Sequence, residues 1–193
     1  MILIIDNYDS FVHNLARYVR EHGFETRVVR NDAGDAEDLL SLSPEAVIVS
    51  PGPKTPADAG VSMAIIRQLP LSVPLLGVCL GHQCLVEVFG GKTRRSIDPL
   101  HGEASLIRHD GEGIFKGIGN PMVAGRYHSL VCDIAPGGLL APCAFSDKGE
   151  VMAVRHASAP WSGVQFHPES LLTPFGRALI GNFLGQIGER AAA

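Results

Sequence analysis

The sequence lacks the features that mark a membrane protein or a nucleic-acid-binding protein. No stretch approaches the roughly 18 consecutive apolar residues of a membrane helix. Lysine and arginine are scattered along the chain, with Arg94-Arg95 as the only adjacent pair, and the formal net charge is −4. Because a nucleic-acid-binding surface needs clustered basic residues, we expect neither a nucleic acid nor a membrane as a partner.

Patterns typical of metal sites and of secretion are also absent. The cysteines include no C-x-x-C pair, and the histidines include no H-x-x-x-H pair, so we expect no metal site and no redox motif on this chain. The first residues, MILIIDNYDSF, lack the basic segment and the longer apolar run of a secretory signal. We therefore expect a cytoplasmic protein with four reduced thiols, at Cys79, Cys84, Cys132 and Cys143.

The residues that are present indicate a globular α/β protein. Hydrophobic residues make up 46% of the 193 residues and charged residues 19%, which is ordinary for a folded chain with a core. Short apolar runs at residues 2–5, 46–50 and 75–79, and a β-like run at 26–30, alternate with amphipathic stretches. This order predicts a central, mostly parallel sheet flanked by helices. A helix is predicted directly after the last run, at residues 80–89.

The second half of the chain predicts a different kind of strand pairing. A closing helix is predicted at residues 175–187, and residues 191–193 are expected to fray. No linker or repeat interrupts the chain, so we predict one domain over residues 1–190. Before the closing helix, short runs separated by turn residues favour an antiparallel extension that makes the sheet mixed; they lie at 104–108, 122–127, 139–145, 151–155 and 163–166.

The sequence LGVCLGHQC places Cys79 between two glycines, at the junction of a predicted strand and a predicted helix. Gly-x-Cys-x-Gly is the pattern of a nucleophile elbow, a sharp turn that presents a catalytic side chain, with cysteine in place of serine. A thiol there lies at a helix N-terminus, where the helix dipole favours the thiolate. The N–H of Leu80 can donate to an oxyanion. The alternative is a small buried cysteine in a glycine-flanked turn.

A second oxyanion donor is expected in SPGP, residues 50–53, which follows a predicted strand. Because the carboxyl ends of parallel strands meet at one edge of a sheet, this segment should lie beside Cys79. Pro51 and Pro53 have no N–H, so Gly52 is left as the donor, and its missing side chain lets a carbonyl group approach. The alternative interpretation is a rigid surface turn.

A cysteine nucleophile needs a base, and the sequence GVQFHPE offers His167 beside Glu169. Apolar and polar residues alternate as in a strand until Pro168, so His167 is predicted at a strand end. Glu169 can hold one imidazole nitrogen and leave the other to face the cysteine. The alternative is an ordinary hydrogen-bonded or surface histidine. For His82 and His128 we predict structural roles.

Four segments together resemble the class I, or triad, glutamine amidotransferases: GVCLGHQ at 77–83, SPGP at 50–53, YHSL at 127–130 and GVQFHPES at 163–170. The opening IDNYDSF, residues 5–11, and the short chain resemble one branch of that family. This branch is the small subunit, component II, of anthranilate synthase and of aminodeoxychorismate (para-aminobenzoate) synthase. The resemblance runs from residue 1 to the last predicted helix and implies the flavodoxin-like class I glutamine amidotransferase fold.

The resemblance also implies roles for individual residues. The catalytic triad would be Cys79, His167 and Glu169, and the oxyanion hole would be formed by the N–H groups of Gly52 and Leu80. Glutamine would be held by a set of residues at the same edge of the sheet, namely Pro51, Gly52, Gln83, Ser129 and Leu130.

The implied activity is hydrolysis of L-glutamine to glutamate and ammonia through a cysteine thioester. Ammonia would pass to a chorismate-binding large subunit that makes anthranilate or aminodeoxychorismate, for tryptophan or folate biosynthesis. That partner would need Mg²⁺, whereas this chain would need no cofactor. Two other functions stay open: a freestanding glutaminase or γ-glutamyl hydrolase, and a non-catalytic regulatory module on the same fold.

Three positions depart from the pattern of the branch. Lys54 stands where a small residue is commoner, and Cys84 stands where alanine or serine is usual. Glu103, in LHGE, replaces the lysine of a usual MHGK and so reverses a charge. None of the three belongs to the triad, so they bear on partner identity and on control of the glutamine site.

Overall fold

The computed structural model describes residues 1–188, which contain nine strands and five α-helices. The strands are β1 (Ile2–Asp6), β2 (Thr26–Arg30), β3 (Ala46–Val49), β4 (Leu75–Val78), β5 (Lys92–His109), β6 (Met122–Asp133), β7 (Leu140–Ser146), β8 (Val151–His156) and β9 (Trp161–Val164). The helices are α1 (Val12–Glu21), α2 (Ala36–Ser41), α3 (Ser62–Gln68), α4 (Leu80–Val88) and α5 (Gly176–Gly188). Short 3₁₀ turns lie at Pro56–Asp58 and Gly113–Phe115.

All nine strands form one sheet, in the order β2-β1-β3-β4-β9-β8-β7-β5-β6. The first four strands and β9 pair in parallel. Every residue of β1, β3, β4 and β9 is buried, whereas β2, at the sheet edge, is only partly buried. Strands buried on both faces have continuous apolar sequences, which is why short apolar runs revealed them. The predicted mixed α/β sheet is confirmed.

The antiparallel half bends the sheet back toward the parallel half. β5 is 18 residues long and pairs with β6 through two register shifts. Such shifts increase the local twist of a sheet. Gly125 of β6 forms a bridge with His167, which follows β9, although three other strands lie between β9 and β6 in the sheet order. The sheet is therefore curled, and β6 lies beside the carboxyl ends of the parallel strands.

Alternate residues of the parallel strands pack into two cores. Ile4 of β1 lies in the same core as Leu15 of α1 and Phe183 of α5. Ile5, the next residue, lies in the opposite core with Leu85 of α4. Each fully buried side chain of this size contributes about 1.5–3 kcal/mol of transfer free energy. The sheet is thus held between two helical layers, and its strand ends are rigid supports for the segments that follow them.

Several predicted boundaries differ from the structure. The predicted run 163–166 overshoots β9, because the chain crosses to β6 after Val164, where the His167 N–H donates to the Gly125 carbonyl at 3.0 Å. The predicted run 104–108 is only part of β5, and the predicted run 122–127 is only the first half of β6. Residues 191–193, for which fraying is predicted, and the last two residues of the predicted domain lie outside the described residues. Within residues 1–188, no helix is both long and apolar enough to cross a membrane.

Candidate active site

Cys79 occupies the turn between β4 and α4, with a φ of +50°. This left-handed conformation costs a residue with a Cβ about 1–3 kcal/mol. The turn can close because its neighbours are glycines. A Cβ on Gly77 would lie 2.5 Å from the Gly81 carbonyl oxygen, and a Cβ on Gly81 would overlap the Val49 carbonyl. The structure therefore places the thiol at the start of α4, as the nucleophile-elbow pattern predicts.

Cys79 is one wall of a cavity of about 150 Å³ at the carboxyl edge of the parallel strands. Its thiol is largely buried, with the residue 7% exposed. The cavity is lined by Gly52, Pro53, Lys54, Cys79, Gln83, Tyr127, His128, Ser129 and Leu130. The curled sheet thus brings β6 residues to the elbow, and four of the five predicted glutamine-binding residues share this cavity. Pro51, the fifth, directly precedes Gly52 and is not part of the lining.

A larger cavity, of about 490 Å³, opens beside Trp161 at the amino end of β9. None of the predicted site residues lines it. Its size alone carries no chemistry, whereas the smaller cavity holds the strained cysteine at the carboxyl ends of the strands, where open α/β sheets bind their ligands. The smaller cavity is therefore the candidate active site.

The two predicted oxyanion donors are neighbours. A Cβ on Gly52 would lie 2.9 Å from Cδ2 of Leu80 and 2.5 Å from Cβ of Asn7, so only glycine fits between them. The N–H groups of a first helical turn have no acceptor within the helix, which leaves the Leu80 N–H for a ligand. Gly52 and Leu80 can together hold an oxyanion next to Cys79.

Asn7 holds the segment that carries Gly52, and the sequence reasoning missed this role. Its backbone N–H donates to Ser50 Oγ at 2.9 Å, and its side-chain amide donates to the Ser50 carbonyl at 3.0 Å. The side-chain oxygen Oδ1 of Asn7 accepts from Asn31 Nδ2 and Ser62 Oγ at 2.9 and 2.8 Å. Every one of these groups is buried, so the hydrogen bonds rigidify the loop. A polar residue directly after a buried strand was the only available signal.

His167 and Glu169 lie in the segment after β9. His167 Nδ1 lies 2.6 Å from Glu169 Oε1, and the two residues are 4% and 1% exposed. In this contact Nδ1 donates to Glu169, which leaves the other ring nitrogen, Nε2, available to Cys79. Thr173 donates to the His167 carbonyl at 2.6 Å, and the Tyr127 ring packs edge-on at 4.9 Å. The imidazole is thereby fixed and shielded from water.

Cys79 and His167 influence each other's charge. Burial acts to lower the pKa of His167, but the facing Cys79 thiolate and the Glu169 carboxylate together raise it well above its usual value. Nε2 and Sγ do not meet the geometry of a formed hydrogen bond, and Nε2 has no hydrogen-bond partner among residues 1–188. Catalytic contacts of this kind often tighten only in the substrate complex. The arrangement favours a protonated His167 facing the Cys79 sulfur.

The comparison with known families agrees with this geometry. Residues 3–187 match the family model described as glutamine amidotransferase class-I. The chain belongs to the class I glutamine amidotransferases. The predicted family is confirmed.

Named relatives of this amidotransferase cover nearly the whole chain. It is 48% identical to aminodeoxychorismate synthase component 2 of Escherichia coli (95% of this chain, 99% of that one). It is 46% identical to aminodeoxychorismate/anthranilate synthase component 2 of Bacillus subtilis (95% of each) and 47% identical to anthranilate synthase component 2 of Methanocaldococcus jannaschii (95% of each).

A solved structure shows the same fold. The crystal structure of a glutamine amidotransferase from Thermotoga maritima matches with a TM-score of 0.77 at 16% sequence identity, over 98% of this chain and 96% of that one. At this identity the likeness concerns the fold alone.

A series of buried hydrogen bonds that begins at Arg126 supports the cavity wall formed by Ser129 and Leu130. The Arg126 guanidinium is fully buried, is paired with Asp98 at 3.1 Å, and donates to His128 Nε2 at 3.0 Å. His128 Nδ1 then donates to the Leu130 carbonyl at 2.9 Å. Burial and the nearby Arg126 charge lower the pKa of His128 to about 4, so the ring is neutral. These contacts support the structural role predicted for His128 and hold the Ser129–Leu130 backbone in place.

The three positions that depart from the branch have different surroundings. Lys54 lines the cavity, is exposed and has a φ of +69°. Glu103 is exposed on β5, and Cys84 is fully buried in α4. His82, also in α4, is fully buried, and burial lowers its pKa to about 3, which agrees with a packing role. Within residues 1–188, no group of three acidic, histidine or cysteine side chains is placed to hold a metal ion.

Proposed function

We propose that this chain is the glutamine-hydrolysing component of a synthase that aminates chorismate. The observation that carries the proposal is that Cys79 and Gly52 line one cavity and that the His167–Glu169 pair lies beside Cys79. The likeness of nearly the whole chain to proteins named component 2 of aminodeoxychorismate and anthranilate synthases supports the pathway.

The first half of the reaction forms a thioester. The Cys79 thiolate attacks the side-chain amide carbon of glutamine, and the resulting oxyanion accepts from the N–H groups of Gly52 and Leu80. Each donor contributes about 10²–10³ in rate. His167 gives its proton to the amide nitrogen, the C–N bond breaks, and ammonia leaves. Cys79 then carries the γ-glutamyl group.

The second half releases glutamate. His167, now neutral, takes a proton from water, and the hydroxide adds to the thioester carbon. The C–S bond breaks, glutamate leaves and the thiolate is restored beside a protonated His167. Glu169 holds Nδ1 of the ring throughout, so that Nε2 is the nitrogen that exchanges protons with substrate and water.

Ammonia must reach its acceptor before it is protonated in water, so the proposal includes a chorismate-binding large subunit docked on this chain. Gln83, Ser129 and Leu130 hold the glutamine, and Pro51 shapes the approach to Gly52. The chain uses no cofactor of its own, and Mg²⁺ acts on the chorismate-binding subunit. The proposed compartment is the cytoplasm.

The decisive experiment reconstitutes the synthase. The purified chain is mixed with each candidate chorismate-binding subunit from the same organism, with glutamine, chorismate and Mg²⁺, and the aromatic product is identified by mass. Anthranilate from one mixture and aminodeoxychorismate from the other would make this a shared subunit, whereas a single product assigns one pathway. Neither product, with both partners still active on free ammonia, would overturn the chorismate proposal.

The Cys79→Ser variant provides the matched control. It should abolish the glutamine-dependent product and leave the ammonia-dependent product unchanged, because only the thiolate is removed. Full glutaminase activity without any partner would instead favour a freestanding glutaminase. A chain whose Cys79 is not labelled by a glutamine-like electrophile, even with the partner present, would favour a regulatory module.

A further inference from the structure

Gln165 contacts the reactive sulfur and has no assigned role in the thioester mechanism. Its side-chain Nε2 lies 3.6 Å from Cys79 Sγ, within the range of an N–H···S hydrogen bond. Its Oε1 accepts from Gln83 Nε2 at 3.3 Å. The three residues form a continuous chain from the wall of the glutamine cavity, through Gln165, to the nucleophile.

The buried side-chain amide of Gln165 has lost its hydrogen bonds to water and needs a partner inside the protein. Gln165 is fully buried, with 0% of the residue exposed. A buried amide N–H needs an acceptor, and a neutral thiol is a weak one, whereas a thiolate accepts a charge-assisted hydrogen bond about twice as strong as a neutral one. A hydrogen bond from Gln165 therefore stabilises the thiolate form of Cys79 more than the thiol form.

We propose that Gln165 is a catalytic residue of this amidotransferase, whose side-chain N–H stabilises the Cys79 thiolate. The inference rests on the proposed role of Cys79 as the nucleophile. Gln165 transfers no proton and forms no covalent bond. It donates to the sulfur before attack, when the S–C bond forms, and again when that bond breaks and the thiolate departs from the γ-glutamyl carbon.

Gln83 links this donor to the substrate site. Gln83 lines the cavity and donates to Gln165, which fixes the orientation of the Gln165 carboxamide with its N–H toward the sulfur. The donor is thus already oriented in the empty site, so no reorganisation is needed when glutamine arrives.

The effect of Gln165 must be distinguished from the effects of other titratable groups near the sulfur. His167, after β9, and Cys132, on β6, face Cys79, and the titratable side chains that line the same cavity are Lys54, Tyr127 and His128. Burial raises the pKa of Cys132 to about 12, and burial with the nearby Arg126 lowers that of His128 to about 4, so neither changes charge near neutral pH. His167 is the titratable group whose pKa the Cys79 thiolate and Glu169 raise well above its usual value.

The test measures the rate of Cys79 alkylation by iodoacetamide as a function of pH, with the site of labelling located by mass spectrometry. Gln165→Met keeps the size of the side chain and removes the N–H. The midpoint of its profile should rise by about one pH unit, which lowers the alkylation rate on the acid side about ten-fold. In the complex, glutamine-dependent kcat should fall more than KM rises.

Gln68→Met is the matched control, because it makes the same change at an exposed position at the end of α3. It should keep both the alkylation midpoint and the KM for glutamine of the parent chain. If Gln165→Met does not fold, as judged by its thermal melt, Gln165→Glu replaces it. This variant has the same shape, and its carboxylate should raise the midpoint further.

Folded Gln165→Met and Gln165→Glu variants with the parental alkylation profile would overturn the inference. That failure is distinct from failure of the proposed function, which Cys79→Ser reports. If the Cys79→Ser complex still formed the glutamine-dependent product, Cys79 would not be the nucleophile. If Cys79 proved essential and the Gln165 variants kept the parental profile, only the role proposed for Gln165 would fall.

Discussion

His167 Nδ1 lies 2.6 Å from Glu169 Oε1, and both residues are almost wholly buried. The second carboxylate oxygen, Oε2, has no hydrogen-bond partner among residues 1–188. A buried carboxylate that accepts a hydrogen bond from one imidazole nitrogen fixes both the tautomer and the orientation of the ring. The pair therefore determines which nitrogen faces the thiol.

Glu169→Gln should lower turnover strongly and leave glutamine binding nearly intact. The amide oxygen can still accept from Nδ1, but the neutral amide does not compensate the imidazolium charge, so kcat for the glutamine-dependent reaction should fall about 10²–10⁴-fold. KM should change little, because Glu169 is not among the residues that line the cavity. Glu25→Gln, an exposed carboxylate next to β2, is the control and should behave like the parent. Unchanged turnover in Glu169→Gln would remove Glu169 from the triad.

The parts of the site that are local in sequence could be predicted from the sequence. The elbow needs only a strand, a glycine-flanked cysteine and a helix, and the His167–Glu169 contact joins residues two positions apart. The parallel strands were visible because burial on both faces requires continuous apolar runs. Ser129 and Leu130 followed only from the family resemblance, because the curl of the sheet that brings β6 to Cys79 leaves no local pattern.

The supporting residues escaped prediction because their partners are distant in sequence. Asn7 contacts Ser50, 43 positions away, and Arg126 pairs with Asp98, 28 positions away. Gln165 and Cys79 are 86 positions apart. A polar residue in an apolar run shows that a buried partner must exist, since buried polar groups are hydrogen-bonded, but it does not identify that partner.

Gly52→Ala should impair catalysis by moving an oxyanion donor. The new Cβ would lie 2.5 Å from Asn7 Cβ and 2.9 Å from Leu80 Cδ2, so the loop must shift. Losing one donor should lower kcat about 10²–10³-fold. Gly34→Ala is the control, because its added Cβ meets nothing within 4 Å and should leave kcat unchanged. A fully active Gly52→Ala chain would assign the second donor to another residue.

Iodoacetamide near neutral pH should label one cysteine. Burial raises the pKa of Cys132 and Cys143 to about 12, and it raises that of Cys84 further, so these three stay protonated and unreactive. Cys79 lines the cavity beside His167. Intact mass should show a single added alkyl group, absent from Cys79→Ser. Two or more groups on the folded parent chain would contradict the assignment of the buried thiols.

Acid should destabilise the fold through its buried neutral histidines. Burial lowers the pKa of His82 to about 3, and burial with the Arg126 charge lowers that of His128 to about 4. Below about pH 6.5 the unfolded chain binds protons at these positions and the folded chain does not, so the free energy of unfolding falls as the pH falls toward 4. Each histidine adds a slope of about 1.4 kcal/mol per pH unit across that window. His167, whose pKa is raised, is protonated in both the folded and the unfolded chain below about pH 6.5, so it adds no slope in this window. Its stabilising contribution is lost as the pH rises above about 6.5.

The effect can be isolated with His82→Leu. His82 has no hydrogen-bond partner on either ring nitrogen among residues 1–188, so leucine removes a titrating group without breaking a formed contact. Urea unfolding curves between about pH 6.5 and about pH 4 should give a slope smaller than that of the parent by about 1.4 kcal/mol per pH unit. His13→Leu, an exposed position on α1, should keep the parental slope. If His82→Leu also keeps that slope, His82 takes up a proton in the folded chain, and the buried ring must then have a charged or hydrated partner.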